Sequence, residues 1–339
     1  MATYKGIQGY SVQKLSSDPT PVANHLGQLW YNSGTGKFKI GVEASGTWAS
    51  ATAMNRGRYG GAGAGTKTAG LVAGGASPPP LTYGFTETYD GTTWTETSDL
   101  NTVRTSSFLG TGTSTAAIVA GGGPGQKDAT ETWNGTSWTS VNSMLVARQG
   151  FGGFGTSTAA LSGGGGAWNT PSTKGLTELY NGTSWSETSN QNQIWVNRAG
   201  CGTVSTLGIY AGGYNNPPAT SKVSTEKWDG TSWTNLNDLN TDRYGPGMGG
   251  STTDALCFGG NQAPPWYAIN NTEKYDGTSW AEGNNLATAR GSIQFGASCP
   301  TPASFAASGN AAPAGPPTAD GVVEEWTDPV YTAKVVTVS

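Results

Sequence analysis

The hydrophobic positions of this chain come in short runs, and the runs recur. Each unit opens on an arginine, crosses a Gly/Ser/Thr-rich stretch and reaches a small-apolar run ending in Gly-Gly. A variable loop follows, then Glu-x-aromatic, then Asp/Asn-Gly-Thr-Thr/Ser and a tryptophan. The arginines are Arg58, Arg104, Arg148, Arg198, Arg243 and Arg290, spaced 44 to 50 residues apart. The acid–aromatic pairs are Glu87/Tyr89, Glu131/Trp133, Glu178/Tyr180, Glu226/Trp228, Glu273/Tyr275 and Glu324/Trp326. The Gly pair of the sixth unit reads Ser308-Gly309.

Each unit reads as four strands, a to d. In the second unit they are expected near Ser106–Thr111, Ala116–Ala120, Thr130–Asn134 and Ser137–Val141. The c–d link, Asn134-Gly135-Thr136, is a hairpin signal, because Asn or Asp before Gly tolerates positive φ. Four antiparallel strands at a period of 40–50 residues predict a blade of a β-propeller. The hairpin tryptophans are Trp94, Trp138, Trp185, Trp233 and Trp280, and the sixth unit lacks its own. Ser45-Gly46-Thr47-Trp48-Ala49-Ser50 supplies the missing pattern, with Trp48 ten residues before Arg58. Four of the other five tryptophans sit ten before their arginines; Trp185 sits thirteen before Arg198. The expected fold class is therefore all-β: a six-bladed propeller of four-stranded blades. A strand from residues 46–51 closes its last blade and removes open sheet edges.

The ends differ. Residues 27–40 alternate on either side of a Gly-rich turn and read as a hairpin. The tail from 330 to 339 is β-prone. It either pairs with that hairpin, or both ends are loosely packed arms. The expected organisation is an attachment segment over 1–45, a propeller over 46–326 and a β tail over 327–339.

Composition narrows the classes. There are 53 glycines and 18 prolines in 339 residues, only 12% charged residues and a net charge of −4. With 13 Trp and 13 Tyr, rings can build a core that aliphatic side chains alone would not. No apolar run approaches the ~20 residues of a membrane span. No signal-like stretch opens the chain, and no Lys/Arg run suggests nucleic acid. Cys201, Cys257 and Cys299 lack CxxC spacing and read as small buried hydrophobes in a reducing compartment. With His25 as the one histidine, no metal and no cofactor is expected.

The Gly-Gly pair, the aromatic, the Trp and the Arg opening the next unit resemble the Kelch-repeat propellers over residues 46–326. The aromatic-to-Trp gap of five, as in Tyr89 to Trp94, is tighter than the Kelch habit. Kelch functions are too varied for that resemblance to carry one. Gly27-Gln28-Leu29-Trp30-Tyr31-Asn32-Ser33-Gly34-Thr35-Gly36-Lys37-Phe38-Lys39-Ile40 resembles the head of bacteriophage virion and tail-fibre proteins, those of cyanophages among them. Tyr4-Lys5-Gly6-Ile7-Gln8-Gly9-Tyr10 resembles those heads too.

Alternating strand direction puts the a–b and c–d turns on one face and the b–c loops on the other. The b–c loops are long and divergent and hold Pro78-Pro79-Pro80, Pro217-Pro218, Pro264-Pro265 and Pro316-Pro317. They also hold the candidate ligand-binding rings Tyr83, Phe85, Trp168, Tyr214, Trp266 and Tyr267. Variable loops on a rigid scaffold are where recognition usually sits; the competing reading tucks these rings onto the blades. Six arginines at the mouth of a channel would attract an acidic ligand. One strand-c Glu per unit offers each of them a partner instead, and the pairing is the expected role.

Catalysis is not expected. Kelch-fold oxidases need copper ligands that one His cannot supply. A sialidase-like glycoside hydrolase, the distant alternative, needs two carboxylates in reach of one bond. The b–c loops hold only Asp128 and Asp320, in different units. The expectation is a virion structural protein, tail- or fibre-associated, that displays a propeller to a host-surface glycan or protein. Its termini would meet other virion proteins, with a homo-oligomer left open. A decoration or spacer protein without a receptor role is the alternative.

Overall fold

The structure is a computed structural model. It describes residues 12–25, 27–43, 45–78, 81–106, 108–166, 175–215, 218–293, 295, 299–310, 321–328 and 331–337. Contacts divide the chain into two units, Thr47–Thr327 and Met1–Gly46 with Asp328–Ser339.

Thr47–Thr327 is all-β among the described residues. Five four-stranded antiparallel sheets follow one another. The second is typical, with strands Leu109–Gly112, Ala117–Ala120, Thr130–Trp133 and Trp138–Val141 in sequence order. A further sheet orders Phe305–Ala307, Val323–Thr327 and Thr47–Ala51. In that sheet Trp326 pairs with Trp48 and Thr327 with Thr47. Strand b is buried on both faces, which is why it reads Ala-Ile-Val-Ala in the second sheet and Ala-Leu-Cys-Phe in the fifth. The run of four-stranded antiparallel sheets is consistent with a propeller-like all-β fold.

Three recurring bonds join neighbouring sheets. In four units the second glycine of the Gly pair donates its N–H to the carbonyl of the next unit's arginine: Gly75 to Arg104, Gly122 to Arg148, Gly213 to Arg243 and Gly260 to Arg290. Gly309 donates likewise to Arg58. Three of the five hairpin tryptophans donate Nε1–H to a strand-c threonine of the preceding sheet, while Trp94 and Trp233 donate to the carbonyls of Thr52 and Ser189. Trp138 reaches Thr86 at 2.9 Å, Trp185 reaches Thr130 and Trp280 reaches Thr225. Trp48 makes the same bond to Thr272 at 2.9 Å. Nearer the strand-a side runs a relay of left-handed residues. Gly60 donates to Ser292, Ser292 to Gly245, Gly245 to Asn197, Asn197 to Gly150 and Gly150 to Ser106, all N–H to carbonyl.

The Gly pair is a steric requirement. A Cβ on Gly121 would lie 2.4 Å from the Phe151 ring of the next sheet, and its φ is +72°. Bulk there would push two sheets apart.

Two local expectations need correction. Strand a of the second unit begins at Leu109, not Ser106. Thr105 forms an isolated bridge with Gly123, and Ser106 turns left-handed at φ 67° to hand its carbonyl to Gly150. The c–d link closes as a four-residue turn, Asn134 to Ser137, one residue longer than the expected Asn134-Gly135-Thr136. Only Gly135 takes positive φ. Asn134 contributes its side chain instead: Oδ1 accepts the N–H groups of Thr136 and Ser137, both at 2.9 Å. Asp229 does the same for Thr231 and Ser232, and these donors hold its carboxyl down to about 2.

The other unit is a small sheet ordered Gln13–Leu15, Leu29–Asn32, Lys37–Glu43 and Tyr331–Val335. The tail strand pairs antiparallel with Lys37–Glu43, Lys39 facing Val335. Asp18 organises it by accepting from Lys39 Nζ at 2.6 Å, Asn32 Nδ2 at 2.7 Å and Trp30 Nε1 at 3.2 Å. The lysine bond is foremost in holding its carboxyl below the usual range.

Cys201, Cys257 and Cys299 are free and buried. Burial pushes the Cys257 thiol up to about 12 and the Cys299 thiol up to about 11. Thiolate is the reactive form, so a disulfide reagent at pH 8 should leave all three unmodified in the folded protein. The same reagent should titrate three thiols after denaturation.

Candidate functional site

The six arginines are buried and held. Arg58 Nη1 donates to Glu87 at 2.9 Å; Arg148 Nη2 to Glu178 and Arg243 Nη2 to Glu273, both at 2.6 Å. Arg104 pairs with Glu131, Arg198 with Glu226 and Arg290 with Glu324. Each glutamate also accepts a backbone N–H from the segment entering its unit. Asn101 bonds Glu131 at 2.7 Å, and Asn55, Leu145, Asn192, Asn240 and Ala287 do the same for the other five. Burial pulls the Arg58, Arg104, Arg148 and Arg198 guanidinium groups below their ordinary range, and the paired carboxylates oppose it. With side chains at most 1% exposed in every pair, these cations cannot greet an acidic ligand.

Arg198 does not stand at the repeat position. Asn192 bonds Glu226 as Asn240 bonds Glu273, and Val196 bridges Tyr214 as Tyr244 bridges Asn261. By that register Trp195 stands where the other units carry arginine. Arg198 reaches the same glutamate from three residues further on. The thirteen-residue gap from Trp185 is the trace of this shift in the sequence.

The ring candidates scatter into different environments. Tyr83 and Phe85 stack on each other at 4.7 Å, with Arg56 4.3 Å over the Phe85 ring and Tyr83 Oη bonded to Ser77 Oγ at 2.6 Å. Trp168 lies outside the described residues. Tyr214 is 1% exposed, so its ring has no face open to a ligand. It packs against Tyr244 at 5.2 Å and beneath Trp266 at 5.3 Å. Trp266 is 45% exposed and Tyr267 38%.

Trp266 is presented by a short hairpin, Asn261–Gln262 with Tyr267–Ala268. Its ring rests edge-on against Tyr244 at 5.7 Å, so its orientation is set by buried neighbours. Beside it runs a polar chain that composition does not reveal. Tyr267 Oη donates to Gln262, Gln262 Nε2 donates to Asp242 Oδ1 at 2.7 Å, and Ser221 Oγ donates to Asp242 Oδ2. Ser221 also ties to the backbone of Ala263. Tyr244, Asp242, Gln262 and Ser221 were not singled out by the sequence. The one available signal was that Asp242 and Tyr244 flank the repeat arginine Arg243. The arrangement offers a fixed aromatic face with carboxylate and amide oxygens at its edge. Such a surface stacks the apolar face of a sugar ring and bonds its hydroxyls. The Asp242 carboxylate disfavours an acidic sugar. Among the described residues, no three His, Cys, Asp or Glu side chains gather to hold a metal ion.

Compared with known proteins, the chain matches no protein-family model, and no curated protein matches it.

Proposed function

We propose that the chain is a six-bladed, Kelch-like propeller on a bacteriophage virion, whose b–c loop face binds a neutral host-surface glycan at Trp266. Closure of the ring by residues 47–51 is supported by Trp48, which takes up toward Thr272 the bond that Trp138, Trp185 and Trp280 make in other sheets. It is supported also by the Gly309 bond to Arg58, which repeats the sheet-to-sheet link between the last unit and the first. The virion assignment rests on the resemblance of residues 4–10 and 27–40 to virion and tail-fibre heads. The terminal unit is then the part that meets other virion proteins. No catalytic step is assigned to the protein.

One observation carries the binding role: Trp266 stands exposed on a buried Tyr214–Tyr244 base with the Asp242–Gln262–Tyr267 chain at its side. An exposed indole fixed by buried neighbours loses little freedom on binding. A glycan array with the full chain tests this reading. Neutral glycans should bind, and Trp266→Ala should weaken them by about tenfold or more. An array silent for the unaltered protein removes the receptor role and favours a decoration or spacer protein.

A further inference from the structure

The surface that presents Trp266 continues sideways into the fourth unit, and its far end differs in charge. Backbone segments lie edge to edge there. Val196 bridges Tyr214, Tyr214 pairs with Ser221 in a short hairpin, and Ser221 N–H donates to the Ala263 carbonyl at 3.1 Å. Val196, Tyr214, Tyr244 and Ala263 form one buried apolar cluster beneath. Three ladder spacings of about 4.8 Å carry this surface roughly 14 Å from Val196 to Ala263. Such a span suits a short oligosaccharide rather than a single sugar ring.

At the far end stands Trp195, the residue that takes the place of the repeat arginine in this unit. The arginines of the other units are buried on their glutamates, whereas Trp195 is half-buried. Lys222 Nζ lies 4.9 Å over the Trp195 ring. Gly213 lies between the two and leaves the crossing open. Lys222 N–H donates to the Gly213 carbonyl at 2.9 Å, and a Cβ on Gly213 would sit 2.7 Å from Trp195 Cβ. Lys222 is half-buried, and among the described residues its ammonium has no carboxylate partner. The ring holds the cation in place, which lowers the freedom lost when an anion arrives. Asp242, the carboxylate of this surface, already accepts bonds on both oxygens, from Ser221 Oγ and Gln262 Nε2. Charge is thus sorted along the surface: a bonded carboxylate toward Trp266, an unmatched ammonium at Trp195.

We propose that Lys222 is a second subsite, for an acidic sugar unit of a glycan whose neutral unit stacks on Trp266. The inference rests on the reading of Trp266 as a neutral-sugar site and extends it along the chain of the ligand. Lys222 Nζ donates a charge-assisted hydrogen bond to the acid, and Trp195 steadies the lysine rather than the sugar. A lysine is a point charge, so a uronate carboxylate and a sulfate ester share the chemistry it recognises. A wholly neutral glycan uses Trp266 and gains nothing from Lys222.

The test is an array of oligosaccharides that join neutral sugars to uronate or sulfated units. Each is printed beside its carboxyl-reduced or desulfated partner and probed with the full chain. At least one acidic member should bind about tenfold or more tighter than its neutral partner, and the series in which it occurs tells carboxylate from sulfate. Added salt should narrow the gap. Lys222→Met should erase the gap and leave the neutral partner's binding unchanged; Lys222→Gln serves if the methionine variant misfolds. Lys222→Arg should keep the gap, and Trp266→Ala should weaken both members alike. Neutral partners that bind as tightly as every acidic member would overturn the second subsite and leave Trp266 standing. A silent array removes both readings. An acid preference that persists without Lys222 overturns the assignment to this residue.

Discussion

Arg243→Ala is expected to lower the unfolding free energy by about 3–5 kcal/mol. The substitution removes a fully buried cation whose Nη2 bonds Glu273 and whose Nη1 bonds the carbonyls of Gly259 and Asn271. Most of the loss comes from what stays behind. Glu273 remains buried without its charge partner, and two carbonyls lose their donor. The double variant Arg243→Met/Glu273→Leu should recover a large part of the loss, although Asn240 and Thr241 would lose their acceptor. Denaturant unfolding of the two variants beside the parent measures the difference. A single variant within about 1 kcal/mol of the parent would mean the pair is not the clamp described here.

The second large effect falls on the strand that joins the two ends of the repeat. Trp48→Ala is expected to cost about 2–3 kcal/mol, below the ~3–5 of a fully buried tryptophan because Trp48 is only half-buried. The ring packs on Trp326 at 5.4 Å and on Phe258 at 4.8 Å. Its Nε1–H satisfies the buried Thr272 hydroxyl. Exposed Ser50→Ala in the same strand should be nearly silent. Thermal or denaturant melts of the two variants separate the packing of Trp48 from a general weakness of the strand.

The sequence told most about what repeats within one sheet. The arginine, the Gly pair, the acid–aromatic step and the Asn/Asp-Gly turn all carry strict spacing, so strands and hairpins were legible. The pairing of Thr47–Ala51 with Val323–Thr327 was legible for the same reason: Trp48 keeps its ten-residue distance to Arg58. Relations between sheets were harder to read. Tyr214 looked like a loop ring, yet its neighbours Tyr244 and Trp266 come from the next unit and bury it. Arg198 fits the pattern by residue type, yet it reaches Glu226 from three positions along because the preceding segment is longer. The Asp242–Gln262–Tyr267 chain likewise unites residues that no single period brings together.

Joining of the chain's early strand to its last repeat is the claim on which the division into two faces depends. A disulfide between Thr47→Cys and Thr327→Cys tests it most directly, because these exposed residues face each other in the ladder. Facing Cα atoms about 4.5–5.5 Å apart suit a disulfide. The native thiols, buried and held protonated, should not compete. Mild oxidation should give a near-complete bond within single molecules, seen by peptide mass spectrometry, and a higher melting temperature. Thiols that stay free, or that pair only between molecules, would contradict the claim.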